Sequence, residues 1–232
     1  ASFTFLPKVV SVKYLSQIIL IGSPLSLGLG TRVLRASILN RTALALVGGV
    51  GVAAYAALES FSRLLEMLSR ALGSSTNMIA GILYGEQDKN ALLRLMKIAL
   101  KYSLAITSII AASVFFGASI IADFYIDKDP EAYEMIHEGL RWLALGIPLD
   151  VVGSIFRFYY QILGNYRLIN ILTILRNGAL MIVIALTLAP HFGIKWLWIS
   201  FPLSFLVYAL TIFFITWWHC GRITFKLEDY LL

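Results

Sequence analysis

Apolar residues fill six long blocks of this chain, each closed by glycines or by a short polar cluster. A helix that crosses a bilayer needs about 20 mostly apolar residues, and every block is that long. The pattern predicts spans over 18–46, 52–84, 92–124, 136–163, 168–188 and 196–218. The breaks between them include VGGVG at 47–51, read as a tight turn, GEQDKN at 85–90, DKDPEAYE at 127–134 and PHFGIK at 190–195. Several blocks outrun the bilayer thickness, which implies tilt or helix extending beyond it. The expected fold is all-α: a polytopic membrane protein whose six-helix transmembrane bundle occupies 18–218. Residues 1–17 read as an interfacial segment, with Phe3, Phe5, Val9, Val10 and Tyr14 at headgroup level and Lys8 and Lys13 kept wet. Residues 219–232 read as a cytoplasmic tail.

The second block is not uniformly apolar. Glu59, Arg63, Glu66 and Arg70 recur every three or four residues, so a helix sets them on one stripe. Glu59–Arg63 and Glu66–Arg70 then form i,i+4 pairs. Ionised groups at membrane depth are costly and face a bundle interior or a water-filled cavity. The first block carries Arg32 and Arg35 near one another after Pro24. On the fourth, Asp150, Ser154, Arg157 and Gln161 follow at spacings of four, three and four, on one face, just after Pro148, which is expected to bend the span. Asn170, Thr173 and Asn177 make a weaker polar line on the fifth, with Arg176 beside it.

Composition agrees with the pattern. Of 232 residues, 59% are hydrophobic and 14% charged, against about a quarter charged in soluble domains. The net charge of +6 comes from bases that flank apolar spans, not from a soluble basic domain, so nucleic acid is not an expected partner; the lipid bilayer is. Lys8, Lys13, Lys89, Arg94, Lys97, Arg167, Arg222 and Lys226 fall on one side and only Lys128 and Lys195 are clear bases on the other. That bias puts both termini in the cytoplasm. Trp196, Trp198, Trp217 and Trp218 bracket the last span as an aromatic belt would. The single cysteine, Cys220, excludes an internal disulfide and a cysteine-based metal cluster.

No phosphate loop, G-x-S-x-G elbow or H-E-x-x-H motif is present, so an enzyme is not expected and ATP bound to this chain would not power transport. His137, His191 and His219 lack metal-ligand spacing; no metal and no cofactor is expected. The candidate substrate and ion pathway is Asp150, Arg157, Gln161, Arg32, Arg35, Glu59 and Arg63. Each has a structural alternative. The Glu–Arg pairs on the second block could exist only to neutralise each other, and Asp150 reads either as a cation or proton site or as a salt-bridge partner of Arg157 or Arg32. The chain begins at Ala1 without a signal-peptide pattern and reads as the later part of a longer polypeptide.

Longer motifs carry a resemblance. GSPLSLGLG…ILNR (22–30, 38–41), GGVGVAAYAALESFSRLLEML, ILYGEQDKNALLRLMKIALK, YYQILGNYR (159–167), ILR (174–176) and FGIKWLWISFPLS (192–204) together resemble one lobe of the multidrug and toxic compound extrusion (MATE) transporters, over about 18–218. The resemblance implies the carboxy-terminal six-helix lobe of a twelve-helix transporter in the cell membrane. Residues 1–17 would then link it to an amino-terminal lobe, or a second copy would take that lobe's place. It also implies export of small, cationic, drug-like molecules by antiport with Na+ or H+, the two lobes rocking about a central cleft. One departure stands out: the family's acid eight positions after the proline of this lobe's first helix is here Arg32, which leaves Asp150 to serve largely alone. The alternative within the same superfamily is a flippase for lipid-linked oligosaccharides, whose anionic cargo Arg32, Arg35, Arg63 and Arg157 would suit. A channel or a purely structural subunit has no filter-like motif to support it.

Overall fold

The computed structural model describes residues 12–125 and 129–220. Within them the chain forms α1 (Val12–Val47), α2 (Gly49–Gly85), α3 (Lys89–Phe116), α4 (Ala118–Tyr125), α5 (Pro130–Ile162), α6 (Tyr166–Ile174), a π turn (Leu175–Ala179), α7 (Leu180–Thr187), α8 (Ala189–Phe192) and α9 (Lys195–Cys220). Each predicted span has a helix, so the protein is an all-α, multi-pass membrane protein. At 37 residues α2 is about 55 Å long, well beyond a hydrocarbon core of about 30 Å. Five helices among the described residues are long and apolar enough to cross a membrane. The sixth, α2, is long enough but carries the four charges of its stripe.

Local chemistry explains where the helices stop. The break expected over 47–51 shrinks to Gly48, whose φ of 75° turns the chain between α1 and α2. After α2, Gln87 takes φ 59°, and the Asp88 carboxylate caps α3 by accepting from Ala91 N at 2.9 Å. Asp129 caps α5 in the same way, with Pro130 in its first turn. The predicted third span divides at Gly117 into α3 and the short α4. Helix α1 begins at Val12, earlier than expected, so part of the predicted interfacial segment is helical; residues 1–11, most of that segment, lie outside the described residues. So does the tail beyond Cys220.

Helix α5 is the hub, packing against α2, α3, α4, α6 and α9. Three glycines at seven-residue spacing, a glycine heptad repeat, make this possible. A Cβ on Gly139 would collide with Leu58 of α2, one on Gly146 would come within 2.7 Å of Phe205 of α9, and one on Gly153 would collide with Tyr208 of α9. Small residues of this kind let helices in lipid approach closely enough to pack without a hydrophobic drive between them. Leu58, Leu140, Leu143, Phe201 and Phe205 fill one half of the resulting core, and Val151, Ile155, Tyr160, Tyr208 and Ile212 the other. Trp198 belongs to this core and is fully buried, a correction to the aromatic belt, which retains Trp218, 74% exposed. Helix α1, by contrast, turns Ile18, Leu25 and Val33 outward.

Candidate functional site

The polar residues of α1, α2, α5 and α6 meet on the inner side of the bundle. Two ion-pair centres form there. In the first, Arg35 of α1 donates from Nη2 to both oxygens of Glu59 on α2, at 2.7 and 3.0 Å. Its Nη1 lies 3.6 Å from Glu66, and Tyr55 adds a hydroxyl bond to Glu59 at 3.3 Å. Arg35 and Glu59 are both buried. The expected i,i+4 pairs are present but longer, Arg63–Glu59 at 3.5 Å and Arg70–Glu66 at 3.7 Å. The acids of the stripe therefore face α1 first and their own helix second.

In the second centre, Arg176 holds Asp150 as a fork, Nε to Oδ1 at 2.7 Å and Nη2 to Oδ2 at 2.8 Å. Both are buried. The partner of Asp150 is thus neither Arg157 nor Arg32. Arg176 sits one residue before Asn177, about 100° around the helix from the Asn170–Thr173–Asn177 line, and on that side it meets Asp150 of α5. The π turn ends in a kink at Gly178, whose φ is 151°. A Cβ there would meet the Arg35 side chain at 2.7 Å, so the same glycine permits the kink and gives Arg35 room.

A seam joins α1 to this region. Asn170 donates to Ser23 at 2.9 Å, and Arg32 donates to Asn177 at 3.0 Å. Arg32 also lies 3.4 Å from Glu66. Arg157 stays with neither centre; its guanidinium stacks over Phe158, 4.3 Å from the ring centroid. Gln161, in the last turn of α5, is about 16 Å along the helix from Asp150 and does not join the cluster. Arg63 is exposed at the edge. The space beside Asp150 is a cavity of about 10 Å³ between α2 and α5, lined by Ser62, Glu66 and Ser69 among others, roughly one water in size. Asp150 itself is 3% exposed. A larger cavity, about 860 Å³, lies instead by the α2–α3 turn, with Tyr84, Lys89 and Tyr159 in its wall.

Sequence reasoning missed Arg176 as a site residue and the glycine heptad. The heptad was readable, since 139, 146 and 153 are seven apart. The π turn had only Gly178 to announce it.

The comparisons with known proteins agree with this architecture. The profile of the MatE family matches residues 17–187. No curated protein matches the chain. Among solved structures, a MATE in the bent conformation superposes with a TM-score of 0.79 at 22% identity, over 96% of this chain and 49% of that one. An inward-facing multidrug resistance MATE family transporter of the MOP superfamily gives 0.78 at 22%, over 92% and 49%. A MOP superfamily transporter from Pyrococcus furiosus, described as having a binding pocket of reverse polarity that suggests a different function, gives 0.76 at 22%, over 91% and 48%. The chain spans about half the length of these transporters.

Proposed function

The chain belongs to the MatE family, and from that premise we propose that it is one six-helix lobe of a secondary transporter that exports small molecules across the cell membrane in exchange for Na+ or H+. The transport unit is completed by an amino-terminal lobe or a second copy, and both termini face the cytoplasm. The carrying observation is the fork between Asp150 and Arg176, buried where the π turn kinks at Gly178. A buried pair is stable only while both charges are present. A proton added to an Asp150 oxygen, or Na+ competing for it, removes the reason for Arg176 to stay, and the kinked helix can then move against α5. Coupling needs such a difference in affinity between two states, not binding alone.

Cationic cargo draws no support from this wall. Glu59, Glu66 and Asp150 all lie against arginine, which leaves no acid free among them. The second reading, a flippase for lipid-linked oligosaccharides, draws on the surplus of guanidinium groups over those three acids. The test of the carrier reading is gradient-dependent dye efflux from vesicles holding the full-length transporter, with Asp150→Asn beside the wild type. Lost ion dependence is expected; efflux with unchanged ion dependence would remove Asp150 from the mechanism.

A further inference from the structure

The cavity of about 860 Å³ by the α2–α3 turn belongs to neither ion-pair centre. Its walls come from the end of α2, the start of α3 and the end of α5. Three spans stop together there, which sets the cavity at the edge of the hydrocarbon layer, at headgroup level. Its size is in the range of small-molecule sites, about 300–1,000 Å³.

Local chemistry fixes the wall. The Asp88 N–H donates to Leu83 O and the Gln87 N–H to Tyr84 O, both at 3.1 Å. These are the paired bonds that close a helix through a left-handed residue, here Gln87. The Asp88 side chain then caps α3. The turn is held in shape by its own backbone.

The lining divides by chemistry. Leu83, Leu92 and Leu163 supply apolar surface, while Lys89 and Asn90 bring the first turn of α3. Lys89 makes no ion pair among the described residues. Its N–H turns back to Gln87 O, and the Ala91 N–H goes to the Asp88 cap. That leaves the Asn90 N–H without a partner among the described residues. An open N–H and an ammonium at the start of a 28-residue helix favour an oxyanion.

Tyr84 and Tyr159 complete the wall. Tyr159 is 4% exposed, and its hydroxyl has no hydrogen-bond partner among the described residues. The little surface it keeps is on this cavity. A buried phenol left without a partner is costly, and a ligand bearing oxygen atoms supplies one. The surroundings have the same sign: over 86–101, Lys89, Arg94, Lys97 and Lys101 outnumber Glu86 and Asp88. One turn before Leu83, on the same face of α2, Ile79 is 50% exposed. Apolar surface therefore continues from the cavity toward the middle of the bilayer.

We propose that this cavity holds a resident bilayer phospholipid with an anionic headgroup, distinct from any cargo. Its phosphate lies on Lys89 and the Asn90 N–H, another headgroup oxygen meets the Tyr159 hydroxyl, and its chains leave over the leucines and Ile79. A free phosphate would use only the polar part of the wall; the apolar part and the place at the span ends select the lipid. Bound there, it ties the ends of α2 and α3 to α5, the hub of the bundle.

The test uses the full-length transporter, delipidated in detergent, with native mass spectrometry to count bound lipids. The probes are phosphatidylglycerol, phosphatidylcholine with the same chains, and glycerol phosphate, which has the phosphate but no chains. One phosphatidylglycerol is expected to bind about fivefold more tightly than phosphatidylcholine, the scale of one base beside an anionic headgroup, and to raise the melting temperature. Lys89→Gln should abolish that preference and Lys89→Arg should keep it. Lys101→Gln, on the same helix beside Tyr102 but outside the cavity wall, should leave it unchanged. Equal loss in Lys89→Gln and Lys101→Gln would mean that the basic face of α3 attracts lipid without a site. Glycerol phosphate binding as tightly as the lipid would make a soluble anion the ligand. Either result, an unchanged preference in Lys89→Gln, or equal binding of the two lipids by the wild type overturns the proposal. The three wild-type titrations decide even if the variants fail to fold.

Discussion

Arg176 and Asp150 face one another as a closed fork, two nitrogens on two oxygens at 2.7 and 2.8 Å, each side chain 4% exposed. The two residues sit 26 positions apart, on α5 and on the π turn that interrupts its neighbour. One contact thus ties the most buried helix of the bundle to its least regular one. A π turn is a local departure from the α ladder that often marks a functional position, and here it contains the arginine.

Arg35 ties α1, which is largely exposed, to α2, beside Leu39 and Ala43, the α1 residues buried in the core with Tyr55 and Leu58. Arg35→Met should leave Glu59 buried without its main partner, a loss of about 3–5 kcal/mol by analogy with other broken buried pairs. The double change Arg35→Met/Glu59→Leu should recover most of that. Thermal unfolding of the detergent-solubilised variants measures both.

Gly178→Ala should destabilise the protein by about 1–3 kcal/mol from backbone strain alone, because a φ of 151° suits only glycine. The new methyl would also press on Cβ, Cγ and Cδ of Arg35, so the loss should shrink when Gly178→Ala is made in an Arg35→Ala background, which removes the last two of those atoms. Equal losses in both backgrounds would show that Arg35 does not feel this position. A melting-temperature comparison reads the difference.

These two cases show what the sequence could and could not disclose. Six spans were legible because twenty-odd apolar residues in a row admit few other structures, and the breaks at Gly48, Gln87 and Asp129 arise from ordinary turn and cap chemistry. The stripe of Glu59, Arg63, Glu66 and Arg70 was legible as a face, because period 3.6 fixes it. Its partners were not: which helix lies opposite a face is a tertiary fact, and Arg35 looked no different from Arg32. Arg176 was hidden for the same reason: spacing sets it about 100° from Asn177, off the polar line, and does not say that Asp150 of α5 lies opposite.

Tyr208 of α9 donates to the Gly153 carbonyl at 2.9 Å, beside the closest approach of α5 and α9. Tyr208→Phe should cost about 0.5–1.5 kcal/mol for the lost bond. Gly153→Ala should cost about 1–3 kcal/mol, because the tyrosine ring must move to admit a methyl. If Gly153→Ala is neutral in thermal unfolding, the glycine heptad is not what sets the spacing of these helices.

The most direct measurement compares stability and ion-coupled efflux in Asp150→Asn, Arg176→Gln and the double variant of the full-length transporter. Each single change should be strongly destabilising, since it strands one buried group, and the double should regain much of that stability. The double variant, though stable, is expected to have lost the dependence of efflux on the ion gradient. A double variant that is stable and still couples efflux to the gradient as the wild type does would make the Asp150–Arg176 fork a structural tie and contradict its role in coupling.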